Sequence, residues 1–146
     1  MVRVEKHVTI ARPIEEVFEF VADARNDHLW NPSVQDAGQT PEGPFVPGVQ
    51  VWEVREFLGR PIRSVSMITE VRAPEHIAFE VDSGPVPYDG VYTFAEQDGA
   101  THLTVVFQVH PEGLFKAAQP LIAGAIRRDI EHSFDRLKLV MEAQPT

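Results

Sequence analysis

Apolar and charged residues separate onto two faces along the C-terminal part of the chain. The apolar residues recur every three or four positions, which is the spacing of one face of an α-helix. This pattern predicts a long amphipathic helix as the last element of the protein. Its apolar face comprises Ile122, Ile126, Ile130, Phe134, Leu137 and Met141, opposite Arg127, Arg128, Glu131, Asp135, Lys138 and Glu142.

Before this helix, apolar and polar residues mostly alternate, which is typical of strands that are buried on one face. The alternating segments are residues 2–10, 49–57, 62–71, 77–81, 88–94 and 103–109. Turn-forming residues separate several of them, including Leu58-Gly59-Arg60-Pro61, Ala73-Pro74-Glu75 and Asp98-Gly99. A loop rich in proline and glycine is predicted over residues 38–48.

Two short helical segments are predicted after the first strand. Pro13 stands at the start of the first one, Glu15 and Glu16 occupy its first turn, and it should end near Asp23. Residues 23–32 indicate a second short helix or turn that ends at Asn31-Pro32.

This order of elements predicts an α+β fold in which a curved antiparallel sheet of about seven strands packs around the C-terminal helix. We expect a single domain over residues 1–146, because no repeat or linker divides the chain. A sheet wrapped around one long helix tends to enclose space. A pocket between the sheet and the helix is therefore the first functional hypothesis.

Composition narrows the functional classes. The 146 residues include no cysteine, which excludes disulfides, thiolate nucleophiles and cysteine-ligated zinc. A formal net charge of −9 opposes contact with nucleic acid, so we expect no nucleic-acid partner. No apolar run is long enough to span a membrane and no signal peptide follows Met1, which predicts no membrane span and a cytoplasmic location.

Four segments carry a resemblance to a known family: Ala11-Arg12-Pro13-Ile14-Glu15-Glu16-Val17-Phe18, Trp30-Asn31-Pro32, Val71-Arg72-Ala73-Pro74 and Leu137-Lys138-Leu139-Val140-Met141-Glu142. With the order of elements, they resemble the START-like (SRPBCC) superfamily, and within it the polyketide cyclase/dehydrase-type branch. The resemblance implies a helix-grip fold, in which the sheet grips the C-terminal helix over a hydrophobic cavity. The cone-shaped barrel of the NTF2-like class is the competing fold, but that class leads with its helices.

The resemblance implies a choice of functions rather than one reaction. Members of the superfamily bind lipids, polyketides, plant hormones or quinones, and some are aromatases or cyclases. The shared segments are structural markers, and a common fold does not choose among these activities.

Two polar residues, Asp129 and Ser133, lie on the border of the apolar face of the last helix. The simpler interpretation is that both contact water at the edge of that face. The functional interpretation is that Asp129 is a partly buried carboxylate that orients a ligand hydroxyl or acts as a base. Arg136 lies on the same flank, and an ion pair with it would neutralise Asp129.

Two arginines, Arg55 and Arg63, fall within predicted strands. We expect both on the solvated outer face of the sheet, because burial of an unpaired charge is costly. An arginine that points inward would suit a carboxylate or an enolate oxygen. Arg63 and Met67 share one side of their strand and Ser64 and Ser66 the other, so only one of these sets can face the helix.

Aromatic residues with one polar group suit a pocket, because they join a large apolar surface to a hydrogen-bonding atom. Tyr88, Tyr92 and Trp52 are such residues, whereas Phe94 and Trp30 are expected to pack in the core. The predicted ligand-binding residues are Trp52, Arg63, Met67, Phe79, Tyr88, Tyr92, Phe107, Ile126, Asp129 and Ser133.

The chain lacks the common motifs of metal and cofactor sites. Its six histidines include no His-Glu-x-x-His pair. There is neither a Gly-x-Ser-x-Gly elbow nor a glycine-rich phosphate loop. We therefore expect no metal site and no cofactor.

The favoured function is binding of a hydrophobic small molecule, such as a lipid, a polyketide or another aromatic or isoprenoid-like ligand. The alternative is a cofactor-free polyketide cyclase, aromatase or dehydratase, in which Asp129, Arg63 or Tyr92 moves protons or holds an oxyanion. A third hypothesis is a protein adaptor that uses a sheet edge or the long helix. The sequence leaves open the ligand, the choice between binding and catalysis, and the oligomeric state.

Overall fold

A computed structural model describes residues 2–57, 59–81, 87–110, 117 and 119–144, without the side chains of Phe57 and Ile122. A turn of 3-10 helix, Ala24–Asn26, precedes the second α-helix. In chain order, the elements of the described residues are β1 (Val2–Ile10), α1 (Ile14–Ala22), α2 (Asp27–Trp30), β2 (Val34–Thr40), β3 (Gln50–Phe57), β4 (Arg60–Arg72), β5 (His76–Val81), β6 (Tyr88–Gln97), β7 (Ala100–Val109) and α3 (Gln119–Glu142).

The seven strands form one curved antiparallel sheet in the order β1-β7-β6-β5-β4-β3-β2. The long helix α3 packs beside the edge strand β1. The short helix α2 contacts both α3 and the opposite edge strand β2, and α1 packs on β6 and β7. This is the predicted helix-grip arrangement, with the long helix last and the short helices after the first strand. None of the described helices is both long enough and apolar enough to cross a membrane.

The second strand differs from the sequence interpretation, which placed residues 38–48 in a loop. Strand β2 continues to Thr40 and pairs Gly38 with Trp52 of β3. A Cβ atom at position 38 would lie 2.5 Å from the Trp52 ring, so only glycine allows this ring to lie against the strand. The glycine that suggested a loop is therefore a close-packing residue within a strand.

The hairpin between β6 and β7 confirms the turn predicted at Asp98-Gly99. Both residues have positive φ, 52° and 81°. Two successive positive values are the conformation of a type I′ turn, whose twist matches that of the flanking strands. The turn sets the register in which Phe94 pairs with Leu103, and both of these side chains are buried in the core.

The C-terminal half of α3 is fixed to the start of the chain. Leu137 and Met141 are buried against the core that β1, α1 and the central strands share. The buried Arg12 donates a hydrogen bond from Nε to the Met141 carbonyl oxygen at 3.0 Å. Because the last carbonyls of a helix have no partner within the helix, this contact stabilises the end of α3.

Candidate functional site

A cavity of about 100 Å³ lies between α3, the short helices and the inner face of strands β3 to β7. Its wall is largely aromatic and aliphatic. The aromatic residues are Trp30, Phe45, Phe79, Tyr88, Tyr92, Phe107 and Phe134, and the aliphatic ones are Val21, Ala22, Val51, Ile68, Ile77, Val81 and Ile130.

The aromatic wall is built over a glycine. Gly90 of β6 pairs with Phe79 of β5 on one side and Phe107 of β7 on the other. A Cβ atom at position 90 would lie 2.5 Å from the Phe79 ring, so glycine lets the two phenylalanine rings meet above the strand. Their centroids are 5.7 Å apart and the rings are perpendicular. Tyr92 completes the group, with its ring edge-on to Phe79 at 5.3 Å.

Polar side chains enter the same cavity from four elements. Glu53 and Arg55 point inward from β3, because residues two apart share one face of a strand. By the same rule Ser64 and Ser66 of β4 face the cavity. The helices contribute the rest, namely Asp27 and Asn31 around α2, and Asp129 and Ser133 on α3.

Arg55 holds two carboxylates at the more open end of the cavity. Its Nη2 lies 3.0 Å from Glu53 Oε1, and its Nη1 lies 3.6 Å from Asp129 Oδ2. Ser33 Oγ donates a further hydrogen bond to Asp129 Oδ1 at 3.0 Å. Desolvation works to lower the pKa of Arg55, but the charges of Glu53 and Asp129 outweigh it and the pKa is raised. This end reaches solvent, since the side chains of Arg55 and Asp129 are 29% and 39% exposed.

Asp27 is a buried carboxyl group that lines the cavity. Burial raises the pKa of Asp27 to about 9, and the charge of Glu53 and a hydrogen bond to it add to the shift. The raised pKa favours the protonated form of Asp27, so its carboxyl can serve as a proton donor in the cavity. Burial also holds the pKa of Tyr92 well above its ordinary value.

Two buried polar atoms, on residues that line the cavity, have no hydrogen-bond partner among the described residues. They are Trp30 Nε1 and Ser133 Oγ. The two residues are only 5% and 2% exposed, so bulk water does not cover these atoms. Buried polar atoms are nearly always paired in folded proteins, which makes these two notable.

Six of the residues predicted for ligand binding lie together in this cavity: Phe79, Tyr88, Tyr92, Phe107, Asp129 and Ser133. Ile126 packs against the hydrophobic core beside it and remains partly exposed. Trp52, Arg63 and Met67 do not line the cavity. Arg63 lies 5.3 Å from the centre of the Trp52 ring, and Met67, on the same side of β4 as Arg63, is exposed.

The sequence interpretation missed several polar residues of the cavity. Arg55 was expected on the outer face and instead points inward, because Glu53 and Asp129 compensate its charge. The sequence contained one indication of this. Alternate residues of a strand lie on one face, which places Glu53 and Arg55 on the same face as the apolar Val51. Asp27 had no such signal, because its burial depends on how α2 packs against β2 and α3.

A second, larger concavity of about 730 Å³ lies on the outer side of α1. It is bounded by α1, β2 and the loop after β2, and it includes Trp52. Phe45 and Ala22 line both this concavity and the inner cavity, so they form part of the wall between the two.

Several solved structures share this fold. TTHA0849 from Thermus thermophilus matches with a TM-score of 0.82 at 15% identity, over 99% of this chain and 100% of that one. A START superfamily protein from Mycobacterium smegmatis matches with a TM-score of 0.76 at 17% identity, over 96% and 97%. The di-domain ARO/CYC BexL of the BE-7585A biosynthetic pathway matches with a TM-score of 0.77 at 17% identity, over 94% of this chain and 45% of that one.

These identities are low, so the structural matches establish the fold alone. No curated protein matches the chain in sequence. The sequence profile of one family, described as "Polyketide cyclase / dehydrase and lipid transport", matches residues 1–142. The chain therefore belongs to the polyketide cyclase/dehydrase and lipid transport family.

Proposed function

We propose that the cavity beneath α3 binds a hydrophobic small molecule that carries an aromatic or similarly flat ring. The observation that carries this proposal is the unfilled aromatic wall formed by Phe79, Tyr92 and Phe107 around Gly90. Protein interiors are normally packed to crystal-like density, so a space lined by rings is available to a guest. Burial of one aromatic ring contributes about 4 kcal/mol before the costs of association.

A neutral single-ring probe tests this proposal. Toluene should bind at one site per chain, as measured by isothermal titration calorimetry. Ser64→Phe places a benzyl group into the cavity and should abolish the signal. Thr69→Phe is the matched control, because Thr69 lies on the same strand and is exposed. Equal binding by wild type and both variants would place the ligand elsewhere.

A specific observation also favours a second candidate function, that of a cofactor-free enzyme. Asp27, whose pKa is raised by burial and by Glu53, could act as an acid and Glu53 as a base in the same cavity, and an acid and a base together can move protons between carbon and oxygen. Glu53 would take a proton from the carbon beside a carbonyl while Asp27 gives its proton to the carbonyl oxygen, which forms an enol. The hydrogen bond between the carboxyl groups would then return the proton to Asp27.

This second candidate predicts exchange of the protons next to a carbonyl. Acetophenone incubated with the protein in D₂O should gain deuterium in its methyl group faster than in buffer, as measured by ¹H NMR. Asp27→Asn and Glu53→Gln should both abolish the acceleration. Asp129→Asn tests the residue that the sequence indicated as a base. If the wild-type rate equals the buffer rate, binding remains the only proposed function of the cavity.

A further inference from the structure

We propose that the outer face of the sheet binds one zinc ion between the imidazoles of His7 on β1 and His102 on β7. The site lies across the sheet from the cavity, because the neighbouring residues Val8 and Leu103 point into the core. It is therefore independent of the proposed binding function. The described residues contain no set of three histidine, aspartate or glutamate side chains suited to a metal ion, so water completes the coordination of this two-histidine site.

The register of β1 and β7 brings the two histidines together. Residues two apart share one face of a strand, so Glu5, His7 and Thr9 all lie on the outer face of β1. His7 pairs with Thr104 and Thr9 pairs with His102, which makes the two histidines diagonal neighbours within reach of each other. They are 95 positions apart in the chain, so no short motif indicates the pair, and the sequence predicted no metal site.

The distance between the two imidazoles fits a tetrahedral ion. His7 Nδ1 lies 3.2 Å from His102 Nε2. Zinc binds imidazole nitrogen at about 2.0–2.1 Å in tetrahedral geometry, which places two such nitrogens about 3.3 Å apart. Adjacent ligands of a square-planar ion with the same bond length would be only about 2.8 Å apart. The rings are inclined by 28° and the His7 side chain is 49% exposed, so an ion has access and small ring rotations direct both nitrogens to it.

A carboxylate orients the first imidazole. His7 Nε2 lies 2.8 Å from Glu5 Oε2. The hydrogen bond from His7 and the charge of Arg3 lower the pKa of Glu5, so Glu5 is ionised and accepts the hydrogen of Nε2. The lone pair of His7 Nδ1 then remains available on the side of His102. A carboxylate behind a ligating histidine fixes the ring and raises its basicity in many zinc sites.

A hydroxyl group occupies the same place behind the second imidazole. Thr9 Oγ1 lies 3.2 Å from His102 Nδ1 and can either donate to it or accept from it. When Nδ1 of His102 carries the hydrogen and donates to Thr9, Nε2 is free to bind the ion. Thr104 Oγ1, at 3.2 Å from His7 Nδ1, is placed to hydrogen-bond to a water molecule on the ion.

Two other histidines make a different kind of contact and supply a control. His76 Nε2 lies 2.9 Å from Glu70 Oε1, and His110 Nε2 lies 3.2 Å from Asp89 Oδ2. Each contact joins one imidazole to one carboxylate. His76→Ala therefore removes a histidine with a carboxylate partner from the sheet without affecting the histidine pair.

The first test is isothermal titration calorimetry of the whole chain, prepared without an affinity tag, with Zn²⁺. We expect one ion per chain, and no binding of Mg²⁺, which prefers oxygen ligands. Loss of a partner behind a ligating histidine typically costs 10–100-fold in affinity, and loss of the ligand itself should cost no less. His7→Ala and His102→Ala should therefore each weaken zinc binding at least about tenfold, whereas His76→Ala should bind as wild type does.

A second measurement identifies the ligating atoms. Long-range ¹H–¹⁵N NMR of the imidazole rings should show that Zn²⁺ shifts His7 Nδ1 and His102 Nε2 most, with the signals of His76 unchanged. Glu5→Gln keeps both imidazoles and removes the carboxylate, so it should weaken zinc binding about tenfold.

Thermal unfolding guards against folding defects in the variants. Without metal, His7→Ala and His102→Ala should unfold close to wild type, since both replacements lie on the outer face of the sheet. Zn²⁺ should raise the midpoint of wild type and of His76→Ala, because the ion joins the edge strand β1 to β7 in the folded chain. It should have little effect on the midpoint of His7→Ala or His102→Ala.

The results separate the histidine pair from general binding of metal by surface histidines. No binding of Zn²⁺, or equal binding of Mg²⁺, overturns the proposal. Wild-type affinity in either His7→Ala or His102→Ala overturns it as well, as does a zinc-induced shift at Nε2 rather than Nδ1 of His7. None of these outcomes changes the binding of toluene in the cavity, so the two proposals fail separately.

Discussion

The two halves of α3 face different interiors. Toward its C-terminus, Leu137 and Met141 are almost completely buried, and Arg12 pairs with the Met141 carbonyl. Toward its N-terminus, Leu121 is 79% exposed, and the middle of the helix presents Ser133 to a partly empty cavity. The segment from Leu137 to Glu142, which we call the packed half, is therefore held by close packing and backbone contacts, whereas the segment from Asp129 to Phe134, which we call the cavity half, borders the proposed site.

Further contacts with the start of the chain reinforce the packed half. The Ala11 N–H donates to Glu142 Oε2 at 2.8 Å, and Lys138 Nζ donates to the Thr9 carbonyl oxygen at 2.6 Å. Stability concentrated at one end lets the other end keep unpaired polar groups, which a ligand can use but which cost folding energy. The division of α3 into a packed half and a cavity half can be tested by substitutions of each kind.

The largest expected loss of stability comes from truncation of an aliphatic residue in the packed half, compared with one in the cavity half. Leu137→Ala should lower the free energy of unfolding by about 3 kcal/mol, because the side chain is fully buried in a packed core. Ile130→Ala should cost less, about 2 kcal/mol, since Ile130 borders the cavity and has fewer atoms to lose contact with. Urea denaturation of both variants measures this, and equal losses would contradict the division.

The second prediction concerns the buried carboxyl group of Asp27. In the unfolded chain Asp27 loses its proton near pH 4, whereas burial beside Glu53 raises its pKa in the folded protein to about 9. Between these values the folded state binds one proton more than the unfolded state, so the contribution of Asp27 to stability falls as pH rises.

Asp27→Asn removes this dependence. We expect the stability of the variant relative to wild type to increase by about 2 kcal/mol from pH 5.5 to pH 7.5, since one proton corresponds to at most about 1.4 kcal/mol per pH unit. Denaturation of both proteins at the two pH values measures it. Asp98→Asn, on an exposed turn, controls for the loss of a carboxyl group as such. If the difference in stability between Asp27→Asn and wild type is the same at both pH values, Asp27 is ionised in the folded protein.

The third prediction compares two arginines that make the same kind of hydrogen bond. Arg12 Nε donates to the Met141 carbonyl oxygen in a buried position, and Arg136 Nε donates to the Leu29 carbonyl oxygen on the surface at 2.9 Å. Arg12→Ala should cost about 1.5 kcal/mol, because it removes a buried hydrogen bond from a charged group, although the Gln144 N–H still donates to the Met141 carbonyl oxygen at 3.3 Å. Arg136→Ala should cost less than about 0.5 kcal/mol, since water replaces the lost donor. Thermal and urea denaturation measure the loss of stability in each variant. Similar losses for Arg12→Ala and Arg136→Ala would mean that the burial of the hydrogen bond has no effect.

The fold was predictable from the sequence because it depends on local patterns. The spacing of Ile130, Phe134, Leu137 and Met141 predicted the long helix, and these residues are buried along it. Alternation predicted the strands, except for β2, where the glycine at position 38 serves close packing against Trp52 rather than a turn.

The site was only partly predictable, since it depends on how distant elements meet. Alternation along β3 is consistent with Arg55 on the inner face of the sheet, but the charge of an arginine favours the outer face. Only the structure shows that Glu53 and Asp129 compensate this charge. Asp27 and Trp30 are brought to the cavity by the packing of α2 against α3 and the sheet, which no periodicity in the sequence describes.

The smallest expected effect is also the most direct test of the cavity half of α3. Ser133→Ala should raise the stability of the ligand-free protein by about 1 kcal/mol, because it removes a buried hydroxyl that has no partner among the described residues. Part of any gain comes from the higher helix propensity of alanine, about 0.5 kcal/mol. His132→Ala, at the exposed neighbouring position, measures that part alone. Urea denaturation at pH 8 should therefore show a larger gain for Ser133→Ala than for His132→Ala. A loss of stability at position 133 would mean that the hydroxyl is paired in the folded protein.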